Sequence, residues 1–170
     1  MNLSDVDSDF TAEDLASYAQ RAMYGYWLDA RGEAILPPKS ALDPVEFPRQ
    51  SLSSIAVVEP IGDGDFRIRI VGTGVRSAVG RDDTGQQVSQ IPGTENALAR
   101  LLQCRDTASA FYTGGPANWA NGRQKFYTSL LLPFGAPQHV ERIMLVFQFT
   151  HHTPANLMKP MPQLFMQPRC

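Results

Sequence analysis

Ile55-Ala56-Val57-Val58-Glu59 and Phe66-Arg67-Ile68-Arg69-Ile70-Val71, separated by Asp63-Gly64, form the stretch whose reading decides the fold. In the second run Phe66, Ile68 and Ile70 alternate with Arg67 and Arg69, the period-two pattern of a strand with one apolar face. Asp-Gly between two apolar runs signals a tight turn, because both residues tolerate the positive φ that hairpin turns need. The two runs therefore read as an antiparallel hairpin.

The reading extends outward from that hairpin. Residues 72 to 94 are rich in glycine and polar side chains and predict one or two short helices without sheet. Asn96 to Phe111 predicts a longer helix with Leu98, Leu101 and Leu102 along one side. Asn121-Gly122 is a second turn signal, and Phe126 to Leu132 and Val140 to Phe149 predict strands covered on both faces, joined by a turn over 134 to 139. Upstream, Thr11 offers a helix cap and Glu13 and Asp14 suit a first turn. Leu15, Tyr18, Ala19, Ala22, Met23, Tyr26 and Trp27 follow at helical spacing and predict an amphipathic helix over 11 to 28, stopped by Gly32 and Pro37-Pro38. The resulting order is helix, hairpin, short helices, longer helix, then two or three strands. That order predicts an α+β fold with helices layered on one sheet face. The other face also carries bulky apolar groups, so the N-terminal helix or a second subunit must cover it.

Composition narrows the function classes. The 170 residues suit a single domain, with a flexible lead-in over 1–10, a domain over 11–150 and a tail over 151–170 rich in Pro and Met. The 15 basic and 17 acidic residues give a net charge of -2 with no basic stripe, which disfavours nucleic acid as a partner. The apolar run Ile143 to Phe147 is far too short to span a membrane, and Asp5, Asp7 and Asp9 stand where a secretory signal carries basic residues. Two cysteines, Cys104 and Cys170, fit a reduced, cytoplasmic setting better than a disulfide scaffold.

Several motifs invite chemistry and are outweighed. Gly72-Thr73-Gly74-Val75-Arg76-Ser77 resembles a dinucleotide fingerprint but lacks the following parallel strand that the motif needs, so packing glycines are the better reading. His151 and His152 are adjacent and point to opposite faces of a strand, and with His139 they lie at strand ends; no metal site is expected, with a haem on one axial His as the alternative. Cys104 reads as a buried small hydrophobe, Asp82-Asp83 as turn or cap residues, and Arg67 with Arg69 as a solvated or ion-paired face. No catalytic residue is assigned, and no cofactor is named.

Trp27-x-x-x-Arg31-Gly32, Leu36-Pro37, Leu42-Asp43-Pro44, Phe66 to Thr73, Gly80-Arg81-Asp82-Asp83-Thr84-Gly85 and Leu131-Leu132-Pro133 occur in that order. This ordered set, over roughly residues 20 to 149, resembles the short bacterial PAS-type family whose members consist of little more than one PAS domain. The resemblance implies a five-stranded antiparallel sheet with helices on one face, a small-molecule pocket between them, frequent dimerisation through an N-terminal helix, and work in sensing or protein interaction rather than catalysis. Two departures stand out: Lys39 occupies a position that is Arg in many members, and the tail after Thr150 lies outside the family pattern. With no kinase, cyclase or DNA-binding segment after the domain, any output is expected to pass through a signalling partner.

The site expectation is a pocket between the sheet and the 72 to 111 region. Phe66, Ile68 and Ile70, or the opposite face, supply its floor. Val75, Leu98, Leu101 and Leu102 supply its helical wall, and Tyr127 and Ser129 the polar groups that orient a ligand. Tyr18, Met23, Tyr26 and Trp27 are the expected homodimer interface. The alternatives are a homodimeric interaction module without a ligand and a small α+β enzyme using a buried carboxylate.

Overall fold

Ser17 opens the first helix. Its hydroxyl accepts from the Gln20 backbone N–H at 3.1 Å, and the Gln20 side-chain oxygen accepts from the Ser17 N–H at 3.3 Å. This reciprocal capping satisfies two N–H groups that a helix end otherwise leaves orphaned. The computed structural model describes residues 15, 17–121 and 125–151. Within them the helix, α1, spans Tyr18–Arg31 and ends at Gly32, whose φ of 54° suits a residue without Cβ. The expected cap at Thr11 lies outside the described residues, as do Asn121's partner Gly122 and the tail from residue 152.

Strands β1 (Ile55–Ile61) and β2 (Asp65–Val71) form the expected antiparallel hairpin. Helices α2 (Thr73–Val79) and α3 (Glu95–Thr107) follow, then β3 (Phe111–Pro116), β4 (Phe126–Ala136) and β5 (His139–Thr150). The five strands lie in the order β2-β1-β5-β4-β3, with every neighbouring pair antiparallel. The last strand in sequence is thus the central one.

Several boundaries differ from the sequence reading. Helix α1 is capped at Ser17 and runs to Arg31 instead of spanning 11 to 28. Strand β4 reaches Ala136 while β5 starts at His139, so the turn expected over 134 to 139 shortens to the residues between them. Helix α3 stops at Thr107 instead of Phe111, because Ala108 takes a left-handed conformation at φ 49° and turns the chain. Phe111 then begins β3, which the sequence reading missed. Its six residues end in Gly114-Gly115-Pro116, a weak strand former by propensity. The ladder to β4, from Phe111 opposite Leu131 to Pro116 opposite Phe126, makes it a strand.

The sheet is covered on both faces. Ala56, Val58, Ile68, Thr113, Ser129, Leu131 and Leu145 look toward the α2–α3 side. The alternate residues look toward α1, which lies across β4 and β5. There the Gln20 amide donates to Thr128 Oγ1 and to the Val146 carbonyl, both at 3.0 Å. The Trp27 indole N–H donates to the Pro133 carbonyl at 2.8 Å, and the Arg31 guanidinium lies 5.0 Å from the centre of the Trp27 ring. The N-terminal helix is therefore the cover that the second face requires.

That arrangement corrects the expected dimer interface. Met23 and Trp27 are fully buried within their own chain and present nothing to a partner. Tyr26 is half-buried; its hydroxyl donates to the Ala41 carbonyl at 2.7 Å and its ring meets Phe47 edge-on at 5.4 Å. Of the four, Tyr18 alone is open, at 61% exposure. A periodic apolar stripe does not say whether it faces the chain's own sheet or another molecule.

Trp27→Ala should destabilise the chain by about 3–5 kcal/mol in urea unfolding, the ordinary cost of emptying a buried aromatic site. Tyr18→Ala should stay within about 0.5 kcal/mol of the parent, as exposed positions do. Equal effects of the two would mean that α1 does not seal the sheet.

Candidate functional site

The inner face is shaped first by a bulge in the hairpin. Val58 pairs with Ile68 and Val57 with Ile70, leaving Arg69 as the extra residue. Beyond the bulge the strand's alternation is reversed. Ile70 joins Val57 on the outer face, 44% exposed in a groove with Leu42, Phe47 and Arg142, while Val71, opposite Ala56, turns inward. Ile70 is thus removed from the expected floor and Val71 takes its place. Regular alternation across Phe66 to Val71 conceals this, because a bulge adds a residue without changing composition.

Between the inner face and the helices lies a cavity of about 100 Å³. Ala56, Val58, Ile68 and Val71 border it from the hairpin, Leu131, Leu145 and Phe147 from β4 and β5, and Val75, Val79, Ala97 and Leu101 from α2 and α3. Among the expected residues, Ile68, Val75, Leu101, Tyr127 and Ser129 meet there. Phe66, in register with Pro60 nearer the turn, is wholly buried in the core and does not border the space. Leu98 and Leu102 pack against the core from a neighbouring stripe of α3; the stripe that faces the cavity carries Thr94, Ala97 and Leu101. Sequence reasoning took Leu98, Leu101 and Leu102 together as one side of the helix, whereas the helix rotation brings Leu101 and the small Ala97 to the cavity.

Polar groups reach the cavity from segments with no regular pattern. Arg81 binds Asp83 at 2.7 Å and donates to the Trp119 carbonyl at 2.5 Å, tying the turn after α2 to the loop before β4. Trp119 packs on Tyr127, Phe147 and Phe149 with ring centres 5.1, 5.7 and 5.8 Å apart. Burial pushes the Tyr127 phenol above its ordinary range, against the opposing pull of a hydrogen bond from the Trp119 side chain and of the Arg100 charge. Asp65 anchors the short turn at Val88–Gln90 to β2, accepting from the Ser89 hydroxyl at 2.5 Å and its N–H at 3.1 Å. Burial would raise that carboxyl, but these bonds and the Phe66 N–H together hold it below the usual range. Arg81, Asp83, Thr113 and Trp119 were missed by the sequence reading: Thr113 lies in the missed strand, and the others converge only through tertiary packing.

Ser129 is the unusual member. It is 1% exposed, borders the cavity and has no hydrogen-bond partner for its hydroxyl. Buried polar groups are ordinarily paired, since an unpaired one keeps its full desolvation cost.

The other singled-out residues lie elsewhere. Gly72 sits where an added Cβ would be 2.6 Å from the Ser53 carbonyl oxygen, so the glycine pair permits close packing. The Cys104 thiol is buried and donates to the Ser109 carbonyl at 3.2 Å. Asp82 caps the turn through Thr84, whose hydroxyl and N–H hold its carboxyl below the usual range. Arg69 pairs with Glu59, which also binds Arg142, each at 3.2 Å, and Arg67 donates to the Gly85 carbonyl at 3.0 Å. His139 and His151 are exposed at the ends of β5, and His152 lies outside the described residues. Among the described residues no cluster of three His, Cys, Asp or Glu side chains could hold a metal, and no helix is long and apolar enough to cross a membrane.

Residues 15–147 match the family described as PAS domain. No curated protein matches the chain. Among solved structures, the chain is similar to the PAS domain of histidine kinase ThkA, at 13% identity and a TM-score of 0.42, covering 55% of this chain and 97% of that one. It is also similar to a domain of an HTR-like protein from Haloarcula marismortui ATCC 43049, at 19% identity and a TM-score of 0.39, covering 57% of this chain and 98% of the other.

The raised Tyr127 phenol has a signature at high pH. In the unfolded chain it ionises near pH ~10, and in the folded chain only above that. The unfolded state therefore releases its proton first, and the stability that the buried neutral phenol supplies is present below pH ~10 and declines as pH rises beyond it. Tyr127→Phe should flatten that decline in urea-unfolding series across the alkaline range. An identical slope for parent and variant would show that the phenol is not shielded.

Proposed function

The chain belongs to the PAS domain family, and on that premise we propose that it is a non-catalytic sensory or adaptor domain. In this reading the inner cavity takes a small molecule and the signal passes to a partner protein in the cytoplasm. The observation that carries the reading is the cavity itself, about 100 Å³ of space between sheet and helices, with the unpartnered Ser129 hydroxyl on its wall. Well-packed interiors leave few voids larger than a water molecule. The acid that borders the space, Asp83, is already bound to Arg81, which favours binding over acid–base work. Occupancy could reach the surface through α2 and α3, because both helices border the cavity.

A second reading, a homodimeric interaction module with no ligand, draws on the exposed apolar residues Tyr18 and Val45, at 61% and 86% exposure. A dimer through α1 would then use its outward side, since the inward side lies on the sheet.

A native mass spectrum of the freshly purified full-length protein should show a retained mass that disappears on denaturation. Ala97→Phe, which places a ring into the cavity from α3, should abolish that mass while changing stability by no more than about 3 kcal/mol, the usual range for overpacking. A ligand-free dimer in which Ala97→Phe alters nothing would favour the second reading.

A further inference from the structure

Ser129 lies on β4, between β3 and β5. Thr113 stands opposite it on one side and Phe147 on the other. The backbone groups around it are engaged in the two ladders. A strand also offers no carbonyl one turn back, of the kind a helical serine uses. The hydroxyl is nevertheless sealed from solvent, unpaired, and on the cavity wall. A sealed, unpaired hydroxyl on an apolar cavity wall is a half-made hydrogen bond.

The surroundings restrict what can complete it. The cross-strand partners are Thr113 and Phe147, and the next residues on the same face of β4 are Tyr127 and Leu131. None of these four carries a charge. Three charged side chains also border the cavity: Arg81 and Asp83 neutralise each other at 2.7 Å, and Arg100 stands on the α3 wall, where its charge reaches Tyr127. A carboxylate or ammonium placed against Ser129 would lose its hydration with no counter-charge among these strand neighbours, which is costly in an apolar space. The volume sets the second limit: a dry protein cavity of roughly 150 Å³ holds a benzene ring, so a single ring or a short chain is the right scale here.

We propose that the cavity takes a small neutral molecule, a single ring or short chain bearing one hydroxyl or carbonyl, and that Ser129 Oγ is the hydrogen-bonding group that orients it. A serine hydroxyl can both donate and accept, so it serves either polar group. This deepens the small-molecule reading above and rests on it.

The test uses three compounds that share a ring: toluene, benzyl alcohol and benzoate. Each is titrated into the 15N-labelled full chain and followed by its amide and indole signals. Trp119 borders the cavity and Trp27 is buried on the opposite face, so the two indoles separate entry from nonspecific effects. The expected result is that benzyl alcohol shifts the Trp119 signal and binds at least tenfold more tightly than benzoate. Ser129→Ala should weaken benzyl alcohol by about fivefold, the worth of one neutral hydrogen bond, and leave toluene unchanged. Without ligand, the same variant should melt about 2–4 °C higher, because it removes an unsatisfied buried group.

Benzoate binding the most tightly would overturn the neutral class. So would Ser129→Ala lowering the ligand-free melting temperature, or leaving the preference between toluene and benzyl alcohol intact, for the role of the hydroxyl. In each of those cases entry of a probe that Ala97→Phe blocks would leave the cavity reading standing. If no probe enters the parent protein, the cavity reading fails and this inference fails with it.

Discussion

Trp27 donates its indole N–H to the Pro133 carbonyl while Gln20 donates its amide to Thr128 and Val146, and these contacts hold α1 flat against one face of the sheet. A sheet that is apolar on both sides must be covered on both sides. With one face sealed by α1 from the same chain, the other is free for an independent task. The polar atoms of Trp27 and Gln20 are satisfied at depth, so two large amphipathic side chains can lie in a core without orphaned groups. The same contacts bury Met23 and Trp27 of the α1 stripe within their own chain.

The inner face is less completely filled. Helices α2 and α3 approach it, and a space bordered by Ala97 and the valines of α2 remains against the sheet. The bulge at Arg69 decides which side chains border that space, replacing Ile70 with Val71. The Arg81–Asp83 pair and Trp119 close one side by joining two loops that are far apart in sequence. The site is therefore assembled from a sheet that is rigid by its ladders and from loops held by a few directional bonds.

Much of this architecture was legible in the residues. The alternation across Phe66 to Val71, the Asp63-Gly64 turn and the apolar runs at Phe126 and Val140 are local signals whose period follows from backbone geometry, and they yielded the hairpin, the sheet class and the layer of helices. Ile68, Val75, Leu101, Tyr127 and Ser129 were placed on the correct elements for the same reason. Strand β3 was not legible, because Gly114-Gly115-Pro116 has little strand preference and is held by pairing to β4. Leu98 and Leu102 were misplaced because the choice between adjacent stripes of a helix depends on its rotation against the sheet, which spacing alone leaves open.

The sequence by itself determined the strands other than β3, the helices and the family, because periodicity, turn residues and an ordered set of short motifs are properties of neighbours along the chain. Tertiary structure alone decided that Met23 and Trp27 face inward, that Ile70 faces outward, that Arg81 and Asp83 meet Trp119, and that Ser129 is left without a partner beside a cavity. Each of those facts depends on which surfaces meet across long sequence separations, and on the volume left between them after packing. Neither quantity is written in any local stretch of residues.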